Sequence, residues 1–235
     1  MKAKAIDYIS SMFTQKNMPK RTVMAIISVV LMGFGVALFS LSNMGVDPYT
    51  SMNMTIASAI HMTFGLWQMF VNIAIIIFVV AVAHRGLVGV GTIFNMIGVG
   101  FVCDFFKSII APAITRHSLL IDLILMSLGV IFLSFAASLF FTANIGVGAY
   151  DALGFMLENK TKISYKWCRV ITDFLVIAVA FIVGGMSNIG IGTVVTAFFM
   201  GPLVNLFNVK ISEKLLMIDY TKYGKNFLDV FSLSK

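Results

Sequence analysis

Six stretches of the chain stay apolar long enough to cross a hydrocarbon core about 30 Å thick. They are Thr22–Ser42, Phe64–Ala83, Leu87–Ile110, Leu119–Thr142, Ser164–Gly184 and Ile189–Asn208. Backbone N–H and C=O groups find no water inside a bilayer, so such stretches must be helical. Two shorter stretches, Asp47–Thr63 and Gly148–Glu158, are apolar enough to enter a membrane but too short or too polar to cross it comfortably. They read as half-helices that enter and return. The pattern predicts an all-α polytopic membrane protein with six transmembrane helices and two short broken or re-entrant ones. Lys2, Lys4, Lys16, Lys20 and Arg21 precede the first stretch as in a secretory signal. That stretch is too long for a signal's apolar core and lacks a small-x-small cleavage site at its end, so it reads as a span. Residues 3–13 fit a short amphipathic helix lying on the inner surface.

The pattern also repeats at a spacing of 101 residues. Leu38-Phe39 recurs as Leu139-Phe140, Asn43-x-Gly45-Val46 as Asn144-x-Gly146-Val147, Tyr49 as Tyr150, and Gly89-x-Gly91-Thr92 as Gly190-x-Gly192-Thr193. Gly100 and Phe106 recur as Gly201 and Phe207. Small and polar matches held in register over a whole unit read as a duplication. With three crossings per unit, an odd number, the second copy lies inverted, the plan of many secondary transporters. The chain divides into a cytoplasmic amphipathic segment (1–20), a first repeat (21–117), a second repeat (118–208) and a cytoplasmic tail (209–235).

Composition narrows the class. Of 235 residues, 59% are hydrophobic and only 11% charged, well under half of what a soluble surface needs, and mean hydropathy is +0.97. Soluble enzymes, secreted scaffolds and nucleic-acid binders are excluded on that ground. The net charge of +7 comes almost entirely from Lys and Arg outside the apolar stretches, where it sets orientation. With both termini cytoplasmic, fifteen Lys and Arg lie inside and only Lys107 and Arg116 outside. An eight-span arrangement, with the short helices crossing, gives sixteen against one, so length decides for six. Cys103 and Cys168 have no Cys or His at ligand spacing and read as small buried hydrophobes.

Candidate chemistry sits where polar residues interrupt the apolar runs. In Asn43-Met44-Gly45-Val46-Asp47-Pro48-Tyr49, Asp47 is placed to cap a helix whose first residue is Pro48. In the second copy, Asn144 to Asp151, Gly148 takes the cap position and Asp151 falls in the first turn. Unwound backbone beside a half-helix exposes groups that protein, water or ligand must satisfy, which makes both turns site candidates; ordinary caps at the membrane surface are the alternative. Asp173 lies mid-span, where a carboxyl is expensive unless paired, protonated or facing a wet cavity. Its partner in the repeat is Asn72, and Arg169, one turn earlier, is its nearest charge partner. A coupling role for Asp173 stands against a structural interhelical hydrogen bond. Thr92 and Thr193, in the Gly-x-Gly-Thr elements, either loosen and pack their helix starts or meet solute through their hydroxyls. Asp104, with Lys107 three residues on, reads as a surface ion pair, and Asp122 as an interfacial residue. Met44, Met52, Met54, His61 and Met62 read as core filling rather than a copper path. Trp67 and Gln68 face a cavity or anchor the interface. His61, His84 and His117 share no face. No hydrolase or metalloprotease constellation is present, so no enzyme, metal or cofactor is expected. Gly33-x-Gly35 and Gly98-x-Gly100 serve packing within the chain or a homodimer.

At the two Asn-x-Gly-Val-x-x-Tyr turns and the two Gly-x-Gly-Thr elements, over about residues 21–208, the sequence resembles the YczE/YyaS/YitT-like family of bacterial integral membrane proteins. That pattern reads like Gly-x-Gly/Asp-Pro-Trp-Asp at each turn. Here Asp47-Pro48-Tyr49-Thr50 keeps the Pro and replaces Trp and Asp, while Gly148-Ala149-Tyr150-Asp151 keeps the Asp and replaces the Pro. The resemblance implies a bacterial inner-membrane protein, related to transport, and supplies no substrate.

The reading these features support is a proton- or ion-coupled transporter of a small organic solute working by alternating access. Its site comprises Asp173, Asn72, Asn43, Asp47, Tyr49, Asn144, Tyr150, Asp151, Thr92 and Thr193, and its environment is the lipid bilayer. Two alternatives stand beside it. One is the solute-binding membrane subunit of an energy-coupling-factor-like transporter, which needs an energising partner. The other is a non-transporting assembly or regulatory protein that docks through the tail Ile211–Lys235.

Overall fold

A computed structural model describes residues 17–82, 87–114, 116 and 118–216, and among these the elements are helical. The helices are α1 (Met18–Leu41), α2 (Pro48–Ala59), α3 (Phe64–Val82), α4 (Val90–Ile110), α5 (Leu119–Ala143), α6 (Ala149–Thr161), α7 (Tyr165–Gly184) and α8 (Ile191–Phe207). All but α2 and α6 are long and apolar enough to cross a membrane; those two, at 12 and 13 residues, are not. The amphipathic segment 3–13, His84, Arg85, His117 and most of the tail fall outside the described residues.

Local chemistry explains where the helices begin and end. The Asp47 carboxylate accepts the Thr50 N–H at 3.1 Å, and Pro48, with no N–H to leave unsatisfied, takes the first helical position. Asn43 (φ 55°) and Asn144 (φ 49°) take the left-handed conformation that ends α1 and α5. The Asp104 carboxylate, from α4, accepts the Gly65 N–H at 2.7 Å and so closes the first turn of α3. In the sequence the same residue reads as half of a surface pair with Lys107. Past α8 the chain keeps to the body of the protein through a π turn over Asn208–Ser212 and a short α9 (Glu213–Leu216). The Asn208 amide oxygen accepts the Thr142 hydroxyl, and the Ser212 and Ser138 hydroxyls meet at 2.6 Å. Residues 209–216, taken from sequence as tail, thus continue the last span.

The core is an antiparallel pair, α1 against α5, flanked by α4 on α1 and α8 on α5. Small residues bring these backbones together, as small residues do in bilayers where no hydrophobic force drives helices into contact. A Cβ on Gly129 would lie 2.7 Å from Phe39 Cβ, one on Gly35 2.9 Å from the Leu133 nitrogen, and one on Gly33 2.6 Å from Val102 Cβ. Gly98 and Gly100 are likewise pressed against Val29 and Gly65. Both Gly-x-Gly faces are used within the chain. The outer faces of α7 and α8 are apolar, with Ile182 81% and Phe198 73% exposed, which only a lipid surround makes tolerable.

Contacts between the halves come in matched sets. The Gly192 N–H donates to Met44 O at 2.7 Å, and the Gly91 N–H to Ile145 O at 2.8 Å. The Val46 N–H donates to Asn188 O at 3.1 Å, and the Val147 N–H to Leu87 O at 3.2 Å. Each residue of the first bond in a set is shifted by 101 from its opposite number in the second. The short helices are exchanged in the same manner, α2 packing on α7 and α6 on α3. Met44 and Val46 of the first unwound turn, and Ile145 and Val147 of the second, are thus held by the helix start of the opposite half's last span.

Candidate functional site

The two exchanged short helices begin beside each other. Tyr49, in the first turn of α2, and Tyr150, in the first turn of α6, lay their rings face to face with centroids 4.4 Å apart and planes 9° from parallel. Both are buried. Each hydroxyl reaches the polar residue of the neighbouring span: Tyr49 Oη donates to Asn72 Oδ1 at 2.7 Å, and Tyr150 Oη donates to Asp173 Oδ1 at 2.7 Å. The Asn72 amide also donates to Met96 O at 3.3 Å, which fixes its oxygen toward the tyrosine.

On the Asp173 side the pair becomes ionic. The Arg169 guanidinium lies 4.3 Å from the centre of the Tyr150 ring. Its Nε is 3.4 Å from Asp173 Oδ1 and its Nη1 bonds Asp151 Oδ1. Tyr165 Oη donates to that same Asp151 oxygen at 3.1 Å, and the Tyr165 ring stacks on Phe155 with centroids 4.3 Å apart. One guanidinium thus bridges two carboxylates, each also held by a phenol, with formal charge −1. The side chains of Arg169, Asp151 and Asp173 are 30, 23 and 19% exposed.

The positions 101 residues earlier are Gln68, Thr50, Asn72 and Phe64, in place of Arg169, Asp151, Asp173 and Tyr165. The tyrosine stack joins a neutral half-site to a charged one.

Of the residues singled out from sequence, Tyr49, Tyr150, Asn72, Asp173 and Asp151 come together here. The others serve the turns. Asp47 caps α2, and Asn43 and Asn144 take the left-handed positions. Thr92 Oγ1 accepts the Gly89 N–H at 3.0 Å and caps α4. Thr193 Oγ1 accepts the Gly190 N–H at 3.2 Å and donates to Val46 O at 2.6 Å. Thr92 and Thr193 are both buried. Arg169 takes a larger part than its spacing announces, since i,i+4 reveals only its contact with Asp173. Tyr165 was not legible at all. Among the described residues no three His, Cys, Asp or Glu side chains gather closely enough to hold a metal.

Residues 19–209 match the family of unknown function DUF6198, which takes in both turns and the whole cluster. The chain belongs to that family. It is 28% identical over 189 residues to the uncharacterized membrane protein YczE of Bacillus subtilis (strain 168), covering 80% of this chain and 85% of that protein. It is 22% identical over 182 residues to the uncharacterized protein YyaS of the same organism, covering 77% of this chain and 89% of that protein. No solved structure matches the chain. With six candidate spans among the described residues, an apolar outer surface and a membrane-protein relative, it is an integral membrane protein.

Proposed function

We propose that the protein is a proton-coupled secondary transporter of a small organic solute. Its site is the tyrosine pair with Asp151, Arg169 and Asp173. The observation that carries this reading is the ionic cluster. Charge inside a bilayer costs several kcal/mol unless matched, and here one guanidinium faces two carboxylates. A proton or a cationic group balances the remainder. Asp173 is assigned the proton because it lies mid-span and Arg169 Nε holds it at 3.4 Å, a looser contact than the guanidinium's bond to Asp151. Protonating it releases Arg169 from one of its two partners and changes what the site attracts.

The rest of the reading supplies the motion. Units of three crossings at a spacing of 101 residues fit an inverted repeat, and the matched hydrogen bonds from each turn to a helix start of the other half are the contacts such a repeat would exchange. The halves 21–117 and 118–208 rock about the Tyr49–Tyr150 stack, which lies where the exchanged helices meet. The excess of Lys and Arg in the loops on one side supports a cytoplasmic location for both termini.

Proteoliposomes enclosing a pH-sensitive dye test this reading without knowledge of the substrate. Amino acids, vitamins, organic acids and organic cations are added outside one by one. A compound that moves protons across the wild-type membrane but not across the Asp173→Asn membrane is the expected result. Proton movement that persists unchanged in Asp173→Asn contradicts the assigned role.

A further inference from the structure

Away from the charged cluster, at the end of the protein where α1 begins, lies a cleft of about 560 Å³ between α1 and α5, with α9 as its third wall. Val23, Ile27 and Leu31 line it from α1, Phe135 and Leu139 from α5, and Leu215 from α9. Met24 and Leu139 are buried in its floor, while Val23, Ile27 and Leu215 are half exposed or more along its rim. Lys20, in the first turn of α1, is the one charged residue among the described residues that line it. The Arg21 guanidinium donates to Ala143 O at 2.7 Å, which sets the start of α1 level with the end of α5.

The cleft has the depth of one leaflet. From Lys20 to Leu31 the helix rises about 16 Å, close to half of a hydrocarbon core about 30 Å thick. Its mouth is positive. The segments that meet there carry Lys20, Arg21, Lys210 and Lys214 against Glu213, and the N-terminus of α1 adds its partial positive charge. All the lining positions have apolar counterparts 101 residues away, where Ile121 stands in place of Lys20. The stripe is kept and the cation is not, so packing of the stripe does not call for the lysine.

We propose that this cleft binds one anionic phospholipid of the adjacent leaflet, with an acyl chain laid between α1 and α5 and its phosphate at Lys20. Lipid tails are as apolar as leucine, so a chain gains little by leaving the bilayer for the cleft, and the apolar lining alone does not select. The ammonium selects, because a basic side chain at the membrane surface favours an anionic headgroup. The same count of Lys and Arg that supports cytoplasmic termini puts the cleft in the cytoplasmic leaflet, whose surface is the negative one. The bound chain fills the space between the central helix pair and α9.

Lipid retention tests this directly. The full-length protein is extracted with a nonionic detergent from vesicles of equal phosphatidylglycerol and phosphatidylcholine, and native mass spectrometry weighs it with the lipid it keeps. A single phosphatidylglycerol is expected on the wild type, retained about fivefold over phosphatidylcholine. Lys20→Gln should remove that preference, and Lys160→Gln, in the last turn of α6, should leave it unchanged. Ile27→Trp, with Val23→Trp as a second way to fill the cleft, should lose the retained lipid of either kind; both positions are exposed, so the tryptophans are tolerated by the fold. Equal retention of the two lipids by the wild type, no retained lipid, or a preference that survives Lys20→Gln or both tryptophans overturns the proposal. Displacement of the lipid by inorganic phosphate would make Lys20 a site for the free anion and overturns it as well. None of these residues belongs to the Asp151–Arg169–Asp173 cluster, so a failure here leaves Asp173-dependent proton movement standing, and the reverse also holds.

Discussion

The rings of Tyr49 and Tyr150 lie 4.4 Å apart and 9° from parallel, and each hydroxyl holds the polar residue found 23 positions further along its own half. The stack and the two hydrogen bonds are separable. Tyr49→Phe keeps the stack and loses a neutral bond, a loss of about 0.6–1.7 kcal/mol inside a membrane. Tyr150→Phe loses a bond to a carboxylate, about 1.5–3 kcal/mol. Unfolding in mixed micelles should therefore rank the variants wild type, Tyr49→Phe, Tyr150→Phe in falling stability. Equal losses would mean that Asp173 is not held by Tyr150 as described.

Arg169 is the shared cation of two carboxylates, so its removal is worse than that of either one. Arg169→Gln leaves the Asp151 and Asp173 carboxylates without their shared cation, a loss of about 3–5 kcal/mol. Restoring the neutral set of the first half, with Asp151→Thr, Arg169→Gln and Asp173→Asn together, should recover most of that stability while abolishing solute-driven proton movement. The measurement is unfolding and the proteoliposome assay on the same preparations. A triple variant no more stable than Arg169→Gln would contradict the charge argument.

The matched turns do not have matched tolerance. A Cβ on Gly192 would lie 2.6 Å from Gly45 O and 2.6 Å from Phe39 Cε2, and Phe39 is fully buried with no room to move. A Cβ on Gly91 meets the Ile145 side chain at 3.0 Å and the Ile145 carbonyl oxygen at 3.1 Å, wider than either contact at Gly192. Gly192→Ala should lose about 1–3 kcal/mol, and Gly91→Ala less than 1 kcal/mol. Folded yield and unfolding midpoint check the order.

Thr193 joins the halves as well as capping its own helix. Thr193→Val removes the bond to Val46 O and the acceptor for the Gly190 N–H, about 1–2 kcal/mol together. Thr193→Ser should keep both bonds. Comparing the two by unfolding separates the hydroxyl's role from the volume of the side chain.

The spans were legible because a bilayer imposes length and hydropathy on every crossing helix, so Leu119–Thr142 read from sequence and Leu119–Ala143 in the structure differ by one residue. The start of α2 was legible because Asp47-Pro48 carries its own cap chemistry. The Asp173–Arg169 contact was legible because both lie on one helix, a turn apart. Contacts between helices were not, since hydropathy says nothing about how α6 is rotated against α7. Asp151 meeting Arg169 and Tyr165 depends on that rotation. One signal was present and unread: Tyr49 to Asn72 and Tyr150 to Asp173 share a spacing of 23, and a polar pair repeated at one spacing in both halves marks a contact. The Thr92 and Thr193 hydroxyls, which could equally have faced a solute, are turned to their own caps because the N–H of each preceding Gly has no helical acceptor.

The measurement that bears most directly on the account is thermal unfolding of the detergent-purified protein. It is run against amino acids, vitamins, organic acids, organic cations and drugs at several pH values, with Asp173→Asn beside the wild type. A solute that binds the folded state raises apparent stability by mass action. The account predicts that at least one compound raises the midpoint of the wild type in a pH-dependent manner and leaves Asp173→Asn unmoved. Midpoints unmoved by every compound, or moved equally in both proteins, would contradict a solute site at Asp173.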